Sequence, residues 1–254
     1  NSTSQQQNPI WGNFGWTPGG SPNGNETYLV ACSYIVNFWS STNDTYRPNR
    51  VFCLNGSGVV RGRAFGSNNG AETSPSVVSL VGYAALPSSA SDDTSGILTS
   101  PTAGALLFPA FESLFLQAEA AQRGFISGNA DSLYDAAISE NFRALGVANY
   151  GAAAQAYYTQ SNPLTNITVA SDPITTIITQ KWASLIIYDP VESWCDWRRL
   201  GIPASLPVSI FPGTTATHIP YRLQYPSSEY KYNAVNIAPE GTIDVLTSKI
   251  FWMP

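Results

Sequence analysis

The sequence predicts a mainly α-helical fold with long irregular loops and a few short strands, built on a helical hairpin of tetratricopeptide-like character. Three observations lead there. Residues 110–123 and 130–145 are alanine-rich runs, each followed by a glycine (Gly124 and Gly146), with only a short connection between them. Residues 180–203 place Trp182, Trp194 and Trp197, the adjacent Arg198-Arg199 and several carboxylates in a stretch that reads as helix. The remainder is rich in Ser, Asn, Gly and Pro, the residues of turns and loops.

Taken in order, residues 1–27 carry Gln, Asn, Gly and Pro around Trp11, Phe14 and Trp16, and read as a long loop. Residues 28–40 are apolar, and their length fits a helix or a buried strand equally. Residues 41–107 should be irregular with a few hairpins, and strand-like pieces fall at 51–52 and 77–83. In the hairpin, Ala118, Ala120 and Ala121 allow the two helices to approach closely. One hairpin is not a repeat and cannot bury both of its faces, so a further segment is expected to cover it. A third helix spans 174–188, with Trp182, Leu185 and Ile186 on one apolar face. Asp189-Pro190 interrupts it, because proline lacks an amide hydrogen and restricts the preceding residue. A shorter helix then starts at Pro190, a residue suited to a first turn, and stops at Gly201-Ile202-Pro203. Within it Trp194 and Trp197 lie three apart, and Arg198 and Arg199 can reach Glu192 or Asp196. That spacing favours packing over an exposed aromatic and arginine site. Beyond 203 the chain returns to Pro/Tyr-rich coil, with a last strand-like piece at 249–252. Residues 1–108 thus form a loop-rich candidate ligand-binding segment and 109–254 a helical segment, within one structural domain.

The chain has 254 residues, enough to bury a core without disulfide staples. Charged residues are only 11% of it, against about 25% in ordinary soluble proteins. Its polar surface must therefore come from Ser, Thr, Asn, Gln and Tyr, which suits neutral ligands. A net charge of −5 without a Lys/Arg cluster argues against nucleic acid as partner. Of the three cysteines, Cys32, Cys53 and Cys195, a Cys32–Cys53 disulfide and free thiols both fit. With one histidine, His218, a zinc site is not expected, and no cofactor is implied.

Catalysis has little support. There is no G-x-S-x-G elbow. Asp92-Asp93 and Asp189 with Glu192 are the best carboxylate pairs, and both read as turn or cap residues. Binding has more. Sugar rings stack their C–H faces on Trp and Tyr while their hydroxyls bond to amides and guanidinium groups. Two clusters have that composition. The first holds Trp11, Phe14 and Trp16, where aromatics alternate with glycines in a pattern not expected to form an ordinary helix. The second holds Trp39 with Asn43, Tyr46 and Arg47. Loop tryptophans also serve as anchors, so ligand platform and anchor both stand as readings of these residues.

The run QKWASLIIYDPVESWCDWRRLGIP resembles the conserved block of the SusD-like (SusD/RagB) family, surface nutrient-binding lipoproteins of Bacteroidetes. Gln117-Ala118-Glu119-Ala120 resembles the family's AEA helix, and Ile138 with Asn141-Phe142 the helix after it. Pro220-Tyr221-Arg222, Tyr225-Pro226, Glu229, Asn233 and the terminal Lys249 and Trp252 follow in the same order. The ordered matches run from about Pro109 to the end. The first hundred residues match only in general character. Family members are longer, so the resemblance implies the carboxy-terminal portion of a precursor. That precursor's amino-terminal half would cover the hairpin and carry a lipid anchor in the outer membrane, at the cell surface. The resemblance further implies a non-enzymatic protein that captures oligosaccharide and passes it to a SusC-type TonB-dependent transporter, acting as its lid. Oligopeptide capture is the alternative within the family, and a glycoside hydrolase or other surface enzyme the alternative outside it.

Overall fold

The computed structural model describes residues 7–19, 21, 23–25, 27–74, 76–81, 96–97 and 100–254. Their helices are α1 (Pro9–Phe14), α2 (Ser33–Ser41), α3 (Pro48–Val51), α4 (Ala110–Gln122), α5 (Ala130–Ala144), α6 (Tyr150–Tyr158), α7 (Pro173–Leu185), α8 (Pro190–Leu200), α9 (Ser227–Tyr232) and α10 (Ala234–Ile237). Among the described residues β-structure is confined to isolated bridge residues, such as Val30 with Leu80 and Cys32 with Arg63. The mainly helical expectation therefore holds. The strand-like piece at 51–52 is instead the end of α3, and 249–252 ends in a turn. The ambiguous apolar run resolves as α2.

α4 and α5 form the expected hairpin. Phe111, Phe115 and Ala118 of α4 and Tyr134, Ala137, Ile138 and Phe142 of α5 are all buried in one core. Asn129 caps α5 by accepting from the amides of Asp131 (2.9 Å) and Ser132 (3.3 Å). Gly124 and Gly146 close the two helices in the left-handed region at φ 73° and 68°. α6, which the sequence reading did not separate from coil, buries Ala153, Ala154 and Tyr157 against α5. α7 lies against α4 and is buried without a break from Thr176 to Leu185.

α7 also walls a second core. Trp182 and Ala183 pack there with Trp11, Ala31, Ile35, Trp39, Val51 and Phe52 from the first sixty residues. The Trp182 ring is boxed edge-on by Tyr34 and Phe38, each at 5.6 Å. α7 ends at Leu185, three residues short of the expected 188, where Tyr188 and Asp189 both donate to the Leu185 carbonyl at 2.9 Å. Asp189 then caps α8 through the Glu192 amide (3.1 Å), and Gly201 stops it at φ 70°. All three cysteines are free thiols, so Cys32 and Cys53 are not bridged.

Two ionic networks tie these elements together. Arg47, fully buried, pairs with Asp44 and donates to the Tyr157 hydroxyl (2.8 Å) and the Gln180 amide oxygen (3.0 Å). Its guanidinium lies over the Tyr157 and Phe142 rings at 4.8 and 5.5 Å. Burial opposes its charge, but Asp44 beside it keeps it firmly protonated. Asp44 is satisfied further by the backbone amides of Tyr46 and Arg47, both at 3.0 Å. In the second network Asp196 of α8 pairs with Lys181 of α7 (3.0 Å) and Arg199 (2.7 Å). Arg199 grips Glu119 of α4 with both terminal nitrogens, at 2.5 and 2.8 Å. Arg123 adds a third bond to Glu119 at 2.8 Å.

Truncation of Arg47 to alanine strands Asp44 as an uncompensated buried charge, with an expected cost of about 3–5 kcal/mol read as a lower urea midpoint. An unchanged midpoint would show that the clamp holds nothing. For Glu119, burial alone would raise the carboxyl pKa, but Arg199 and Arg123 outweigh it and hold the group below its ordinary 4.5. Its contribution is therefore full above pH 4.5 and is lost as pH falls through the lower folded value. Glu119→Gln should destabilise the protein at pH 7, and the gap from wild type should stay constant down to about pH 4.5 and narrow below it in denaturation curves.

Candidate functional site

The structure separates the residues expected to touch ligand. α1 forms across Trp11 because Pro9 suits its first turn and Asn8 caps it, accepting from the amides of Ile10 (2.9 Å) and Trp11 (3.2 Å). Gly15 ends it where only glycine fits, since a Cβ would sit 2.8 Å from the Trp11 carbonyl oxygen. The loop expected over these residues is thus a short helix that buries Trp11 to 7% exposure, with Phe14 and Trp16 half-buried against the same core. Trp39 is 0% exposed and leans on Phe52 at 5.9 Å. Tyr46 packs its ring 5.6 Å from Phe142, and Arg47 is the buried clamp. Trp11, Trp39 and Arg47 therefore anchor the interior and offer no face to a ligand. Of the seven, only Asn43 is exposed, held left-handed at φ 51° with its amide 3.4 Å from Gln160.

The tryptophan–arginine block lies beside an apolar cleft of two adjoining chambers, about 400 and 520 Å³, which share Trp182, Ile186, Pro190, Leu206, Ile219 and Pro220. Its rings are engaged with one another. Trp194 donates to the Pro220 carbonyl at 2.8 Å, and Arg198 stacks between Trp194 (3.8 Å) and Trp252 (4.9 Å). Trp197 stacks on Tyr221 at 5.7 Å, and Tyr221 on His218 at 4.5 Å. This is the packing role the spacing favoured. With almost no polar atoms in its walls, the cleft has little to bond sugar hydroxyls, which makes it a poor seat for a glycan.

A second cleft, of about 690 Å³, has mixed walls. Asn8, Pro9 and Ile10 form one side and residues 103–106 the other. Leu145, Gly146, Ile187 and Tyr188 close it from the ends of α5 and α7, and Arg50 reaches in from the end of α3. Asn8 joins the two sides. Its backbone amide donates to the Pro101 carbonyl (2.7 Å) and its side-chain amide to the Ala103 carbonyl (3.1 Å). The Gly96 amide donates to the Asn49 carbonyl (2.8 Å), seating residue 96 beside Arg50. Burial pushes the Tyr188 hydroxyl up to about 12, so it remains a proton donor at neutral pH. Among the described residues no lining residue is a carboxylate or a histidine. Sequence reasoning pointed to the loops before Pro109 and missed Asn8, Arg50 and Tyr188. The one local signal was Asn8-Pro9, a capping pair.

Of the two carboxylate pairs considered for catalysis, Asp189 and Glu192 form the cap of α8, and Asp92-Asp93 lie outside the described residues. Among the described residues no three His, Cys, Asp or Glu side chains cluster as metal ligands.

Residues 7–226 match the family model SusD-like_2, described as starch-binding and associating with the outer membrane. The fold is similar to a SusD homolog from Bacteroides fragilis, with TM-score 0.68, 20% identity, and coverage of 91% of this chain and 53% of that one. It is also similar to one from Bacteroides vulgatus, with TM-score 0.67, 19% identity and coverage of 99% and 52%. A chitin-binding SusD homolog from Flavobacterium johnsoniae matches with TM-score 0.63, 23% identity and coverage of 88% and 49%. The chain spans about half the length of these structures. No match is found among curated proteins.

Replacing Asn8 by alanine removes both the α1 cap and the side-chain tether to Ala103. The expected result is a loss of about 1 kcal/mol, with faster amide hydrogen exchange in residues 9–14 and 100–106. Unchanged exchange in both segments would mean that Asn8 does not hold the sides of the cleft together.

Proposed function

The chain belongs to the SusD-like family, described as starch-binding and associating with the outer membrane, and on that premise we propose that it captures oligosaccharide in the cleft between Asn8, Arg50 and Tyr188. The observation that carries this reading is the cleft's lining, which sets apolar floor residues among hydrogen-bonding groups and, among the described residues, contains no carboxylate or histidine. Leu145 and Ile187 offer apolar surface to the C–H faces of a sugar. Asn8, Arg50, Ser100 and the Tyr188 hydroxyl offer bonds to its hydroxyls. The volume falls in the range of about 300–1,000 Å³ common for ligand sites.

The lining also favours binding over turnover. Glycoside hydrolysis needs two carboxyl groups about 5–10 Å apart across the scissile bond. Among the described residues the walls of this cleft have none. The relative from Flavobacterium is named for chitin and the family for starch, which supports polysaccharide fragments as the ligand class. In the same proposal the chain is the carboxy-terminal portion of a lipid-anchored surface protein that closes over a SusC-type TonB-dependent transporter and releases its ligand inward. Among the described residues no helix is long and apolar enough to cross a membrane, and the proposed anchor is a lipid.

A Cβ at Gly104 meets nothing within 4 Å, so a large side chain there can be accommodated and can fill the cleft without disturbing the core. Calorimetry should show maltoheptaose or chitohexaose binding to the wild type and binding at least tenfold weaker to Gly104→Trp, with an unchanged melting temperature. Equal affinity in the two proteins would move the site elsewhere. Release of shorter sugars during incubation would replace binding by catalysis.

A further inference from the structure

We propose that this cleft prefers acidic oligosaccharides, those bearing a uronate carboxylate, over neutral ones of the same length. The inference rests on the cleft being the glycan site. It begins from an imbalance of charge. The molecule as a whole carries a net charge of −5, yet among the described residues the only charged group in the cleft lining is the guanidinium of Arg50.

Arg50 is set apart from the protein's other interior arginines. Arg47, Arg63 and Arg199 are each matched to a carboxylate, and the half-buried Arg198 and Arg222 are stacked on Trp194 and Tyr225, whereas Arg50 has no ion pair, no side-chain hydrogen bond and no ring partner. It is half-buried, on the one-turn helix α3. A guanidinium in that state presents a planar fork of donors whose geometry suits the two oxygens of a carboxylate.

The neighbouring groups are donors as well. The backbone amides of Gly104, Ala105 and Leu106 make no hydrogen bond within the chain. The Tyr188 hydroxyl is unpaired and stays protonated. The opposing influence is the carboxy-terminal end of α5, whose carbonyls carry a partial negative charge of about half a unit. Those of Asn141, Phe142 and Arg143 are already taken by the amides of Leu145, Val147 and Gly146, each at 3.0 Å, which leaves the full charge of Arg50 dominant. A neutral sugar can use these donors through its hydroxyls. A uronate also neutralises the one unmatched cation.

The test is calorimetry of the wild-type chain, Arg50→Gln and Gly104→Trp with trigalacturonate and maltotriose at low and physiological salt. The expected result is at least tenfold tighter binding of trigalacturonate to the wild type, a margin that narrows as salt rises. Arg50→Gln should weaken trigalacturonate by about ten- to a hundredfold and maltotriose by less, so that the preference disappears. Gly104→Trp should weaken both. Equal affinity of the two trimers for the wild type, or a preference retained in Arg50→Gln with its melting temperature unchanged, would overturn the acidic preference and leave glycan capture standing. Binding of both trimers to Gly104→Trp at wild-type strength would overturn the cleft itself.

Discussion

The pairing of Arg47 with Asp44 is the contact on which the rest of the structure depends. It lies where the two cores meet. Arg47 comes from the segment between α2 and α3, while Tyr157 and Gln180 that receive its hydrogen bonds belong to α6 and α7. Hydrophobic burial is indifferent to small slides of one element over another. A guanidinium with fixed donor directions is not, and it sets how the amino-terminal helices sit on the hairpin. The second network does the same for α8, which Arg199 and Lys181 tie to α4 and α7.

This use of charge explains much of the surface chemistry. Six of the twelve basic residues, Arg47, Arg63, Arg123, Arg143, Lys181 and Arg199, sit in ion pairs. In a chain that is only 11% charged, that leaves few ions to shape the field outside. An unmatched arginine in a concave wall therefore has an effect that a more highly charged protein would dilute.

The helical half was legible because its signals are local. Glycine stops at 124, 146 and 201, prolines at 173 and 190, and aromatic spacing along α4 and α5 act within one turn of where they stand. α1 escaped because six residues with two aromatics and a glycine carry no helical period. What makes it helical is the Asn8 cap and the burial of Trp11, and the second of these is tertiary. The residues of the two aromatic clusters were legible as important and illegible as to role. Ring composition is the same for a ligand platform and an anchor, and only the second core, with Trp182 pressing in from far along the chain, makes Trp11 and Trp39 anchors. The cleft was beyond reach for the same reason, since no two of its sides are neighbours in sequence.

That last property has a kinetic meaning. The cleft draws on residues 8–10, 50, 96, 97, 100, 103–106, 144–146 and 187–188, so its outline appears only after contacts spanning most of the chain have formed. Such long loops close late in folding, because their entropy is lost before the contacts repay it. No fragment of the chain carries the whole outline, and any opening that separates the halves erases it. Occupancy is in that sense a report on the integrity of the entire chain, and a bound ligand holds the folded state together by mass action.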